Sequence, residues 1–151
     1  MKVGMIGAGA VAQRHLAALQ DLQPSVEIVG HLAATPGKAD AAAVRWGGRG
    51  FATIDEFIVQ GRPDAVFVTV PPARHGAIEE RLIADGIPFL VEKPLSADAD
   101  AAERIGERLS RARLVAAVGY HWRAMDTMPA VRDFLAVHPP RMLLGEFHVG
   151  T

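Results

Sequence analysis

Cysteine is missing altogether from the 151 residues. That excludes disulfide scaffolds, thiolate zinc sites and cysteine nucleophiles. Long apolar runs are missing as well, since no stretch approaches the roughly 18 residues of a membrane span. Neither sign of charge dominates: 16 basic residues face 17 acidic ones, for a formal net charge of −1. Nothing in that balance points to nucleic acid or to an acidic membrane surface. Lysine is scarce, with only Lys2, Lys38 and Lys93 among the 16 cations, so each lysine position raises a functional question. What is present is ordinary for a globular domain, 50% hydrophobic and 22% charged residues. A chain of this length buries roughly 68–70% of its unfolded surface. The small apolar stretch Val3–Ala12 behind Lys2 mimics a secretory leader, but Gly4, Gly7 and Gly9 suit the helical core of a leader poorly. The expectation is a cytoplasmic protein.

Short apolar runs alternate with helical patterns along the chain, the pattern of βαβ units around a parallel sheet. Strands are expected over 2–6, 26–32, a short run from Phe51, 65–70, 88–91 and 114–118. The first helix is expected over about 10–22, with Leu16, Leu19 and Leu22 on one face. Thr35 reads as the cap of a helix that opens with Pro36 and runs to about Trp46. Thr53 and Glu56 form a capping box for a short helix ending near Gln60. Pro71-Pro72 opens a helix to Asp85 that is closed by Gly86. Ser96 or Asp98 caps a long helix to about Ala112, and a last helix covers about 126–136. No repeat or low-complexity tract is visible.

The fold class is therefore α/β, a doubly wound parallel sheet of Rossmann type complete by about residue 120. Residues 121–151 read as a linker helix and the first strand of a truncated second, α+β domain. That strand, Met142 to Val149, places Phe147 and Val149 on one face and Glu146 and His148 on the other. A lone strand needs a partner, and a second copy of the chain is one way to supply it.

Gly7-Ala8-Gly9-Ala10-Val11-Ala12 follows the first strand and opens the first helix. It has the Gly-x-Gly-x-x-Ala form of the dinucleotide fingerprint: Gly7 for a tight turn, Gly9 for backbone approach to a pyrophosphate, and Ala12 for close helix–sheet packing. The helix N-terminus offers N–H groups to phosphates. Val70-Pro71-Pro72-Ala73-Arg74-His75 follows the fourth strand, where it either flanks the cofactor or is a plain strand exit. Glu92-Lys93-Pro94 ends the fifth strand. There Lys93 can donate to a substrate oxygen, or the pair is a solvated surface feature. Gly119-Tyr120-His121-Trp122-Arg123 follows the sixth strand and serves either a ring and an anionic group or packing against a second domain. The remaining histidines, His15, His31, His138 and His148, show no metal-ligand spacing, and no metal site is expected.

Together these residues resemble the Gfo/Idh/MocA family of NAD(P)-dependent oxidoreductases over nearly the whole chain. The specific part runs from Pro71 through His75 to Glu92-Lys93-Pro94, with Gly119-Tyr120-His121, Arg123, Pro129 and Gly145-Glu146 in support. The resemblance implies that Lys93 is the catalytic-site lysine that polarises or donates to the substrate oxygen. It implies that Glu92, Pro94 and His121 border the nicotinamide, and that Val70, Pro71 and His75 lie towards the adenosine and diphosphate. The substrate implied is a small sugar, polyol or cyclitol, with neither nucleic acid nor membrane as partner. Two departures stand out. Ala33 replaces the family's usual Asp at the end of the second strand, which turns attention to NADP over NAD, with Thr35 and Lys38 nearby to meet a 2′-phosphate. Little of a substrate domain is present, so dinucleotide binding with little turnover is expected. The alternative is a stand-alone dinucleotide-binding module without chemistry, a sensor or subunit.

Overall fold

The computed structural model of the chain describes residues 1–142. Six parallel strands form one sheet in the order β3-β2-β1-β4-β5-β6. They are β1 (Lys2–Ile6), β2 (Glu27–Leu32), β3 (Arg49–Phe51), β4 (Ala65–Val68), β5 (Phe89–Val91) and β6 (Ala116–Val118). Between them run α1 (Ala10–Gln20), α2 (Lys38–Trp46), α3 (Ile54–Gly61), α4 (Ala77–Ala84) and α5 (Ala99–Ala112). This is the doubly wound Rossmann-like architecture expected from the alternating pattern.

The sheet is covered on both faces because successive strand residues point to opposite sides. Val3, Met5 and Ile28 pack with Ala12, Leu16 and Leu19 of α1. Ile6, Val66, Val68 and Val91 pack with Phe57, Leu82 and Ile105 of α3, α4 and α5. Gly4 of β1 makes the second layer possible: a Cβ there would lie 2.3 Å from the Phe57 ring. Glycine lets a whole aromatic ring seat on the sheet.

Several element ends differ from the sequence reading, each for a local reason. Thr35 does not cap α2. The Lys38 N–H bonds the Thr35 carbonyl at 3.2 Å, and Gly37 sits at φ +75°, ψ −16°. Pro36-Gly37 thus takes the central places of a type II turn, which Pro then Gly favour, and the helix begins two residues later than expected, at Lys38. The segment from Pro72 is not one helix. A 3₁₀ turn covers Pro72–Arg74, Gly76 at φ +113° breaks the chain direction, and α4 starts at Ala77. Helix α1 ends at Gln20, which leaves Leu22 exposed. β4 stops at Val68, and the Thr69 N–H and hydroxyl both donate to the Ile6 carbonyl, at 2.7 Å and 3.1 Å. Thr53 caps α3 through Glu56 N–H as expected, while the return arm of the capping box shifts, the Glu56 carboxylate accepting from Ala52 N–H rather than Thr53 N–H. Asp98 caps α5 through Asp100 N–H.

His31 on β2 is buried, and its Nε2 donates to the Gly47 carbonyl at 2.9 Å, pinning the exit of α2. Burial holds the imidazole pKa below its usual 6.5, the bond to Gly47 opposing the shift only partly. Above about pH 6.5 both folded and unfolded forms are neutral and stability is full. As pH falls below that value the unfolded chain takes a proton the folded one resists, so stability falls until the lower folded pKa is passed. The loss is at most about 1.4 kcal/mol per pH unit, the slope for one proton. Urea midpoints measured from pH 7.5 to 5 should drop, and His31→Gln, which keeps an N–H for Gly47, should flatten the drop. An unchanged slope in that variant would show that another group carries it.

Compactness divides the chain after Gly119. In the unit that begins at Tyr120, a 3₁₀ turn (His121–Ala124) precedes α6 (Met128–Val137). The strand expected at the C-terminal end falls almost wholly outside the described residues, and Gly145, Glu146, Phe147, His148 and Val149 with it.

Candidate dinucleotide site

In this strand order β1 and β4 are adjacent at the centre, and the chain leaves them towards opposite edges of the sheet. A crevice therefore opens beyond their carboxyl ends. The turn after β1 lies there. Gly7 has φ +107°, and a Cβ on it would come within 2.5 Å of the Thr69 hydroxyl and 2.7 Å of its carbonyl oxygen. Gly9, the N-cap of α1, is the opposite case, for a Cβ there would meet no atom within 4 Å. Gly7 is glycine because the protein is crowded; Gly9 borders open space. Having no side chain, Gly9 leaves the first N–H groups of α1 uncapped, and unsatisfied donors at a helix start favour anions.

A groove of about 990 Å³ runs along this crevice, within the range of small-molecule and cofactor sites. Its base is Ile6 to Val11; one wall is Leu32, Ala33, Ala34, Thr35 and Lys38, and the other is Thr69, Val70, Pro71, Ala73, Arg74 and His75. Ala52, Ile54, Ala77 and Ile78 complete it. The structure thus brings together Gly7, Ala8, Gly9, Ala10, Val11, Ala33, Thr35, Lys38, Val70, Pro71 and His75 from the sequence reading. Among the described residues no carboxylate lines the groove, and the permanently charged side chains that do, Lys38 and Arg74, are both cations. Arg74 was not singled out from sequence, although it lies within the quoted Pro-Pro-Ala-Arg-His run.

A buried pair shapes the second wall. The side chains of His75 and Glu79 are 1% and 0% exposed, with Nδ1 2.6 Å from Oε1. A carboxylate only accepts, so Nδ1 carries the proton. The other carboxylate oxygen accepts from the Gly76 N–H at 2.6 Å. One acid therefore fixes both the imidazole and the backbone where the loop turns into α4. His75 Nε2 is buried without a hydrogen-bond partner among the described residues.

Glu92, Lys93 and Pro94 do not line the groove. They leave β5 at the same edge of the sheet, where the Glu92 N–H bonds the Val68 carbonyl at 2.8 Å. Lys93 is exposed, with no partner for its amine among the described residues. Glu92 is half-buried and pairs not with Lys93 but with His15 Nε2 on α1, at 2.8 Å. His121 belongs to the unit that begins at Tyr120 and sits in its 3₁₀ turn. No cluster of potential metal ligands occurs among the described residues, and none of the helices described is long and apolar enough to cross a membrane.

Comparison with known proteins agrees with this geometry. Residues 1–120 match the model of the oxidoreductase family with an NAD-binding Rossmann fold, GFO_IDH_MocA. Inositol 2-dehydrogenase of Corynebacterium glutamicum (strain R) is 31% identical over 108 residues, 71% of this chain and 32% of the relative. Inositol 2-dehydrogenase of Leifsonia xyli subsp. xyli is 28% identical over 138 residues, 89% of this chain and 40% of the relative. The chain thus spans 32% and 40% of the length of these two curated relatives. Among solved structures, the WlbA dehydrogenase of Bordetella pertussis, in complex with NADH and UDP-GlcNAcA, superposes with a TM-score of 0.83. It is 21% identical, over 91% of this chain and 42% of that one, a likeness of fold.

Proposed function

The chain belongs to the Gfo/Idh/MocA oxidoreductase family through its NAD-binding Rossmann domain, and from that premise we propose that it carries the cofactor site of a dehydrogenase. The reaction proposed moves hydride between a nicotinamide and a hydroxyl-bearing carbon of a sugar, polyol or cyclitol. The observation that carries the reading is the groove at the β1/β4 switch point, open at Gly9 and with no carboxylate among the described residues that line it. Those residues fit a dinucleotide. Gly9 leaves room where a Cβ would project, the start of α1 offers N–H groups to a diphosphate, and Lys38 and Arg74 favour an anion.

When bound, the nicotinamide supplies the hydride acceptor or donor. The chain's own residues bind, orient and manage a proton. Gly7 to Val11, at the base of the groove, would hold the diphosphate, with Val70, Pro71 and His75 on one wall. Glu92 and Pro94 would border the nicotinamide. Lys93, whose amine has no partner among the described residues, would donate a hydrogen bond to the reacting oxygen, so that charge on that oxygen is stabilised and its proton has a carrier. Ala33, Thr35 and Lys38 favour NADP over NAD.

Isothermal titration of the chain with NAD and NADP tests the site. Saturable binding of at least one is expected, with thermal stabilisation of about 2.7 kcal/mol at a hundredfold excess over Kd. Failure to bind either dinucleotide would reject the reading. For the chemistry, polyol-dependent absorbance change at 340 nm is followed in a protein that also carries a substrate domain. Lys93→Met should abolish it while the dinucleotide Kd stays put.

A further inference from the structure

We infer that His15 is a positioning residue for Lys93, acting through Glu92; this rests on the reading of Lys93 as the group that meets the substrate oxygen. His15 lies 77 positions before Glu92, yet its side chain touches that of the residue preceding Lys93. Glu92 follows β5, with its backbone held by the Val68 carbonyl at 2.8 Å. Its side chain is 17% exposed and both carboxylate oxygens are engaged. Oε1 accepts from His15 Nε2 at 2.8 Å, and Oε2 accepts from the Lys93 N–H at 3.2 Å. Since a carboxylate only accepts, the His15 proton sits on Nε2. Glu92 is therefore a bracket rather than a free acid: one arm reaches α1 and the other fixes the first peptide of the lysine turn.

Two further features hold the bracket in place. The His15 ring packs against Phe67 of β4, centroids 5.2 Å apart, which limits where Nε2 can point. Gly119, after β6, makes room for the carboxylate, because a Cβ there would lie 3.1 Å from Oε1. Without His15, the half-buried carboxylate has solvent as its alternative partner, and turning towards it releases the Lys93 N–H. The same helix, α1, begins with the uncapped N–H groups of the groove and carries His15 little more than one turn later. One rigid element thus links the anion-binding turn to the direction in which Lys93 leaves the sheet.

The scarcity of lysine makes the test clean. Reductive methylation with ¹³C-formaldehyde labels Lys2, Lys38 and Lys93 along with the terminal amine, and Lys2→Arg and Lys38→Arg assign the spectrum. Two variants of the full chain then separate the hydrogen bond from the packing. His15→Gln keeps a donor for Glu92 and loses the ring; His15→Phe keeps a ring against Phe67 and loses the donor. The Lys93 signal should stay at its wild-type position in the Gln variant. In the Phe variant it should shift towards that of an unstructured methyl-lysine, with Lys2 and Lys38 unmoved in both. Any other pattern, including an unmoved Lys93 signal in the Phe variant or an equal shift in both, overturns the inference. If the Phe variant does not fold, Glu92→Ala removes the bracket from the other side and must produce the same Lys93 shift. None of these signals depends on turnover, so the outcome is separate from that of Lys93→Met.

Discussion

Gly9→Ala should leave the fold intact and remove dinucleotide binding, whereas Gly7→Ala should damage the fold itself. The two glycines stand two residues apart in one turn, yet their surroundings are opposite. At Gly9 the backbone has φ −77° and ψ −175°, an extended conformation open to any residue. Its Cβ would meet nothing within 4 Å. Alanine therefore costs the free protein little, and its melting temperature should be unchanged. The methyl group would project into the space that a diphosphate needs, and it would hold the ligand away from the N–H groups of α1. Affinity should fall by at least about tenfold, or ~1.4 kcal/mol. Gly7 has a φ of +107°, and its Cβ would collide with the Thr69 backbone at 2.7 Å and 2.8 Å. Strained backbone and overpacking each cost about 1–3 kcal/mol, so a destabilisation of roughly 2–6 kcal/mol is expected. Thermal melts and NADP titrations on both variants decide the matter. Undiminished affinity in Gly9→Ala would mean that no ligand approaches this turn closely.

The legibility of the site in sequence follows how local each interaction is. Gly7 and Gly9 are readable because the turn, the strand before it and the helix after it occupy a dozen consecutive residues. The same holds for the caps at Thr53 and Asp98, where donor and acceptor lie two or three residues apart. Thr35 misled because Pro36 suits both the first turn of a helix and the second position of a β-turn, and Gly37 at positive φ decided for the turn. His75 and Glu79 stand four apart, but the spacing carries no message when the chain between them is broken at Gly76 rather than helical throughout. His15 and Glu92 are separated by 77 positions, and only the stacking of α1 beside β4 and β5 brings them together. Gly4 under the Phe57 ring is of the same kind. Contacts closed by the tertiary fold leave no periodic trace in either partner.

NADP should bind at least as tightly as NAD, and Ala33→Asp should reverse the order. An NAD-selective site presents a carboxylate at the end of the second strand, where it accepts from the ribose 2′-OH and repels a 2′-phosphate. Here Ala33 occupies that wall, no acid among the described residues lines the groove, and the first carboxylate downstream of Ala33, Asp40, lies outside it. Facing the space are the Thr35 hydroxyl and two cations from opposite walls, Lys38 at the first position of α2 and Arg74 in the turn after β4. Neither cation has a carboxylate partner among the described residues, so neither must give up an ion pair to meet a phosphate. Both are exposed, and salt will screen them. NADP affinity should therefore fall more steeply with ionic strength than NAD affinity. Lys38→Ala and Arg74→Ala should each weaken NADP selectively. Ala33→Asp adds the acceptor and the repulsion in one step, so it should shift the NAD/NADP ratio by at least about tenfold, or ~1.4 kcal/mol. Dissociation constants for both dinucleotides at two salt concentrations settle it. NAD tighter than NADP by more than about tenfold in the wild-type chain, with parallel salt slopes, would show that the two cations only face solvent.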